Sequence, residues 1–158
     1  MNDVEKLRLF VAISVPDAVR DRVDDEVAPL KKRWSRARWV PVENQHVTLK
    51  FLGWTPSDRL EAIREAIDIV ARSHAPSDVS VTGLGAFPSE RRVRVLWVGL
   101  EDPGSLLTGL AADLELVFDP LGYAPEARDF TPHLTLARFK VPERPKEPLP
   151  ELQGGLDP

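Results

Sequence analysis

Two four-residue phrases in this 158-residue chain carry the same chemistry. His46-Val47-Thr48-Leu49 and His133-Leu134-Thr135-Leu136 each place an imidazole and a hydroxyl two residues apart, alternating with two apolar side chains. In an extended strand, residues two apart share a face. Each phrase therefore buries its apolar pair and presents histidine and threonine side by side on the other face. The chain has 3 histidines, and two of them stand in these phrases, a placement that chance explains poorly.

Histidine exchanges protons near neutral pH because its ordinary pKa is about 6.5. One such residue can remove a proton while another supplies one, each transfer contributing about 10²–10⁴-fold in rate. The threonine hydroxyls suit an oxyanion such as a phosphoryl group. The chain has no cysteine and no Gly-x-Ser-x-Gly elbow. The economical mechanism is then a water activated by one histidine, with the leaving oxygen protonated by the other. Metal binding is the chemical rival, but the histidines form no His-x-His or His-x-x-x-His pair and no cluster with carboxylates. No metal and no cofactor are expected, and His74 reads as a charge at a helix C-terminus or a surface residue.

These phrases need strands to carry them. The alternation of residues 7–15 predicts a first strand, with Leu7, Leu9, Val11, Ile13 and Val15 on one face and Arg8, Phe10, Ala12 and Ser14 on the other. A helix follows from Pro16 to about Trp34 on the stripe Val19, Val23, Val27, Leu30 and Trp34. The strand 46–52 comes next and is expected to end at Gly53. Thr55, Pro56 and Asp58 mark a helix start whose buried face is Leu60, Ile63, Ile67 and Val70. Two strands, near 78–84 and 92–100, flank a loop GAFPSERR. Asp102 and Pro103 open a third helix with the stripe Leu106, Leu110, Leu114 and Val117, closed by Asp119, Pro120 and Gly122. The strand 133–139 is last. The order β-α-β-α-β-β-α-β is a weak duplication, each half ending in a His-x-Thr strand, over a domain spanning 1–141. Residues 142–158, rich in Pro and Glu, read as a loop-like or frayed tail.

Composition bounds what this can be. With 42% hydrophobic and 29% charged residues it is an ordinary globular chain, long enough for one well-packed domain. A net charge of −4 argues against coating long duplexes, so any nucleic-acid contact is local. The absence of cysteine fits a reducing cytoplasm. The apolar run near the N-terminus is too short for a membrane span, and a cytoplasmic monomer without membrane contact is expected.

The phrases RLFVAISVP, WVPVENQHVTLKFLG, GAFPSERRVRVLWVGL and FTPHLTLARF resemble, in order and spacing, the 2H phosphoesterase superfamily. Within it the chain is similar to the RNA 2′,3′-cyclic phosphodiesterases, also called 2′-5′ RNA ligases, over roughly residues 7–140. The resemblance implies an α+β, bilobal, duplicated fold with two antiparallel sheets flanking a central groove and helices outside. It implies hydrolysis of a terminal 2′,3′-cyclic phosphate on RNA to a 2′-phosphomonoester, with 2′-5′ ligation a minor direction. Carried over, His133 is the general base and His46 the general acid, with Thr48 and Thr135 on the phosphate.

It also points to Arg138 as a substrate-binding residue, although strict alternation puts Arg138 on the Leu134–Leu136 face unless the strand bulges. Lys50, in parity with His46 and Thr48, could add charge to the groove or be a solvated strand-end lysine. Phe10 could stack on a base or be a core contact, and Arg91, Arg92 and Arg94 could steer an RNA end or be simply an exposed charged loop, the default reading. Relatives usually continue past the second phrase into a further strand, where this chain reads PERPKEPLPELQGGLDP. Rival readings are a phosphodiesterase for small cyclic or 2′-5′ linked nucleotides and a non-catalytic RNA-end or nucleotide-binding module.

Overall fold

A computed structural model describes residues 4–152. The chain divides into two compact units. The first comprises Met1–Ile13, Thr48–Asp78 and Asp102–Pro132; the second comprises Ser14–Val47, Val79–Glu101 and His133–Pro158. The architecture is α+β, with helices and two sheets.

In the first unit, strand β1 (Lys6–Ser14) pairs with β3 (His46–Pro56), whose first two residues belong to the second unit. The expected alternation of β1 holds: Leu7, Leu9, Val11 and Ile13 turn inward while Lys6, Arg8, Phe10, Ala12 and Ser14 are exposed. Helices α2 (Leu60–Arg72) and α3 (Leu106–Phe118) pack together and bury Ile63, Ala66, Val70, Leu107, Ala111, Leu114 and Phe118.

Three expectations change here. β3 does not stop at Gly53 but bends through it, with φ +73°, and runs on to Pro56. Glycine takes that left-handed turn without a Cβ clash. Thr55 is consequently no helix cap; it is fully buried, its hydroxyl 3.0 Å from that of Tyr123. The helix itself begins at Leu60, after a 3₁₀ turn over Ser57–Arg59. In α3 the buried stripe is Leu107, Ala111, Leu114 and Phe118, rotated from the expected one, because Phe118 is the largest apolar side chain available and goes fully inside. Asp102 caps α3 from before its first turn, its carboxylate accepting the amides of Leu106 and Leu107 at 2.9 and 2.8 Å.

The second unit is a four-stranded antiparallel sheet in the order β2-β6-β5-β4, with β2 Arg38–Trp39, β4 Ser80–Ser89, β5 Arg92–Glu101 and β6 His133–Glu143. Helix α1 (Asp17–Arg33) lies on one face. Its Val19, Val23, Val27 and Leu30, with Trp34 just past its end, form a continuous core with Val93, Leu96, Val98, Leu134, Leu136, Ala137 and Phe139 of the sheet.

The expected GAFPSERR loop is mostly strand: β4 runs to Ser89 and only Glu90 and Arg91 turn the chain into Arg92. Pro88 is tolerated because β4 is an edge strand, where a missing amide donor costs no ladder bond. β6 extends to Glu143, and beyond it residues 144–152 form neither helix nor strand, although Leu149 and Leu152 pack against the core. The last part of the expected tail, residues 153–158, lies outside the described residues.

Candidate active site

Both His-x-Thr phrases open strands, and both show the expected alternation. His46 and Thr48 are half-buried while Val47 and Leu49 are 3% and 8% exposed; His133 and Thr135 are half-buried while Leu134 and Leu136 are fully buried. His46 and His133 fall in the same unit. The segment leading to His46 is moored to the strand of His133: Trp39 pairs with Ala137, and the Val40 amide donates to the Leu136 carbonyl at 2.8 Å. A 3₁₀ turn over Val42–Asn44 follows, with the Arg20 guanidinium donating to the Val42 carbonyl at 3.0 Å. Gln45, 4% exposed, folds its amide back toward the Val40 carbonyl at 3.4 Å. His46 thus lies six residues on from Val40, the last anchor on β6, a reach of at most ~20 Å if extended and less with the turn.

His133 sits against two aromatic rings. The Phe87 centroid is 5.2 Å from the imidazole with the planes at 89°, and that of Trp97 is 5.9 Å away at 55°. Phe87 and Trp97 also touch each other at 5.1 Å. Ring contacts of this kind, one edge-to-face and two tilted, contribute about 0.5–1.5 kcal/mol each and, more to the point, restrict ring orientation. The indole fits because Gly85 stands opposite it in the ladder: a Cβ there would be 2.3 Å from Cη2 of Trp97. Gly99, the ladder partner of His133, is similarly confined, with its Cβ position 2.8 Å from the Thr82 hydroxyl and 3.3 Å from the indole. Packing holds Trp97 in place, since its buried Nε1–H has no acceptor among the described residues. Sequence reasoning did not single out Phe87 and Trp97. The available signal was a glycine facing a tryptophan across a hairpin, with a second glycine two residues beyond that tryptophan on its own strand, hidden while GAFP was read as loop.

Arg138 reaches the His133 face through a bulge. Trp97 pairs with Thr135 but Leu96 pairs with Ala137, so β6 holds one residue more than β5 at Leu136. Leu136 and Ala137 are then both buried, Arg138 is exposed and Phe139 is again inside. The energetics favour this. Regular alternation would push an unpaired guanidinium into the core, at several kcal/mol, and expose Phe139, losing about 1.5–3 kcal/mol. His133, Thr135 and Arg138 therefore share one face.

Lys50 is neither solvated nor aimed at an anion from solution, which corrects both readings made from the sequence. It is 2% exposed, and its ammonium donates to Glu115 Oε2 at 3.1 Å and the Ala124 carbonyl at 2.7 Å. A buried ammonium needs such partners, and they come from residues 65 and 74 positions away, beyond any local pattern. Phe10 is 45% exposed on β1 rather than a buried core contact. On the same row of β1, Arg8 lies 5.3 Å over the ring of the exposed Phe51. His74 is more than a surface charge, its Nε2 standing 2.6 Å from Asp113 Oδ2. Arg91, Arg92 and Arg94 are exposed at the tip of the β4–β5 hairpin. Of the sequence-derived candidates, the second unit holds His46, His133, Thr135 and Arg138, and the first holds Thr48, Lys50 and Phe10. Among the described residues no group of three or more His, Asp or Glu side chains is placed to hold a metal ion, and no helix is long and apolar enough to cross a membrane.

The geometry has counterparts among known proteins. Residues 13–97 match the model of the LigT-like phosphoesterases. An RNA 2′,3′-cyclic phosphodiesterase of Methanothermobacter thermautotrophicus is 36% identical over 151 residues, which cover 96% of this chain and 80% of that protein. One of Archaeoglobus fulgidus is 37% identical over 134 residues, covering 85% of this chain and 73% of that protein. Among solved structures, Escherichia coli LigT complexed with 3′-AMP superimposes with a TM-score of 0.73 at 25% identity, covering 96% of this chain and 82% of that one. A Thermus thermophilus protein gives 0.73 at 30% identity, covering 94% and 81%. The chain belongs to the LigT-like phosphoesterases, the 2H phosphoesterase class whose fold it carries.

Proposed function

We propose that this protein hydrolyses the 2′,3′-cyclic phosphate at an RNA 3′ end to a 2′-phosphomonoester, without a metal or other cofactor. His133 takes the proton from the attacking water, and His46 gives one to the departing 3′ oxygen. Thr48 and Thr135 donate to the phosphoryl oxygens, on which charge grows as water adds, and Arg138 supplies positive charge on the His133 face. The same ring opening with an RNA 5′-hydroxyl in place of water, which breaks the bond to the 3′ oxygen and forms a 2′-5′ linkage, runs weakly because water is the abundant nucleophile. The protein acts as a monomer in the cytoplasm.

The observation that carries this reading is the repeated pattern of half-buried His and Thr over buried apolar partners in β3 and β6. Relatives bearing the RNA 2′,3′-cyclic phosphodiesterase name over most of their length support the substrate class. The test is incubation with a short RNA ending in a 2′,3′-cyclic phosphate, with EDTA present, followed by identification of the terminal phosphate. A 2′-monophosphate is expected. An unchanged cyclic end on RNA that still binds would replace this reading with a binding module. Activity lost in EDTA and restored by a metal ion would replace the mechanism.

A further inference from the structure

The ladder between β2 and β6 sets two arginines directly opposite each other. Arg38 pairs with Arg138 in register, next to Trp39 paired with Ala137. Ala137 is fully buried and Trp39 packs against the core, so the neighbouring pair faces the other way, onto the side that carries His133 and Thr135. Both arginines are exposed, and neither forms an ion pair among the described residues. Like charges directly opposite in an antiparallel pair destabilise a sheet. Among the described residues no carboxylate forms an ion pair with either arginine, and the bulge at Leu136 is what brings the second guanidinium round to meet the first.

We propose that Arg38 and Arg138 together form a two-guanidinium clamp for a backbone phosphate of the RNA, on the 5′ side of the cyclic end. The inference rests on the RNA-end reading above and adds Arg38 to it. Two planar forks carried at directly opposite ladder positions can meet the oxygens of one phosphodiester. Arg138 follows Thr135 by three residues, about 7–10 Å along the strand once the bulge is allowed for. An arginine side chain spans a comparable length, so from its place beside Arg38 the Arg138 guanidinium can lean away from Thr135 toward the next phosphate along the chain. An anion between the two arginines offsets the repulsion between their like charges in the sheet.

The experiment uses Arg38→Gln in the full chain, with Arg38→Lys beside it as a variant that keeps the charge but not the fork. Substrates are a short RNA with a 2′,3′-cyclic phosphate end and a 2′,3′-cyclic mononucleotide, which has no second phosphate. Arg38→Gln is expected to raise KM for the oligonucleotide about tenfold and to lower its salt dependence by about one phosphate contact, a slope change of ~0.7. The cyclic mononucleotide is expected to behave as with the wild type, and the melting temperature to stay level or rise. Arg38→Lys should fall between wild type and Arg38→Gln on the oligonucleotide. An unaltered oligonucleotide KM and salt slope in Arg38→Gln would overturn the clamp. So would an equal rise for both substrates, which would put Arg38 on the terminal phosphate. A wild type inert on both substrates would remove the RNA-end reading, and the clamp with it.

Discussion

At the scale of single residues, the two histidines carry a sharp expectation. Replacing either His46 or His133 by alanine should reduce turnover by at least the ~10²–10⁴-fold that one proton transfer contributes, with the melting temperature nearly unchanged because both side chains are half-buried. Wild-type-like rates in either variant would end the acid–base mechanism. Since one group must be protonated and the other not, kcat/KM should follow a bell-shaped pH profile, and a flat profile would argue against the pair. Lys50 separates a structural role from a binding one. Lys50→Ala leaves the Glu115 carboxylate and the Ala124 carbonyl without their shared donor. It should cost about 1–3 kcal/mol in denaturant unfolding, below the full value for a buried pair because Glu115 keeps a side-chain exposure of 24%. A normal stability with a raised KM would return Lys50 to the substrate. None of this was legible at Lys50, because parity within a strand says which residues share a face but not what folds over that face.

At the scale of elements, much was readable wherever a period was unbroken. The stripe of α1 and the alternation of β1 follow directly from spacing, since a helix or strand with one apolar face has one way to bury it. What escaped were interruptions of period: the turn at Gly53, the hairpin that carries Phe87 in a strand, and the extra residue at Leu136. A bulge is a compromise between neighbouring strands, and one strand's sequence does not declare it. The same burial order, half-buried, buried, half-buried, buried, buried, exposed, runs from His46 to Phe51 and from His133 to Arg138. The duplication therefore extends past the four-residue phrase. Arg138 tests its functional side. Arg138→Ala should leave the fold intact, the side chain being exposed, and lower kcat/KM on the oligonucleotide by about 10–100-fold through loss of a charge-assisted contact. An unchanged kcat/KM would mean that the bulge serves packing alone.

At the scale of the whole molecule, each compact unit is made of three stretches of chain. A sequence read from end to end shows the order of elements far better than it shows which of them share a core. The C-terminal stretch illustrates this. Its composition gives no period, yet Leu149 and Leu152 pack against the core of the second unit. Replacing either by serine should lower stability by about 1 kcal/mol, part of the value of a fully buried leucine because both remain partly exposed. A thermal melt of each variant checks this, and no change in either would mark the stretch as a loose strap.

The glycine beneath Trp97 has a consequence for how this hairpin can change over time. Position 85 is confined to the smallest residue by the indole across the ladder, not by its own backbone angles. The two sites therefore form one hereditary unit, in which a larger residue at 85 becomes tolerable only after the ring at 97 shrinks. Descendants that lose the tryptophan should be free to drift at 85, and those that keep it should not. The orientation of the His133 imidazole is the trait that this linkage protects.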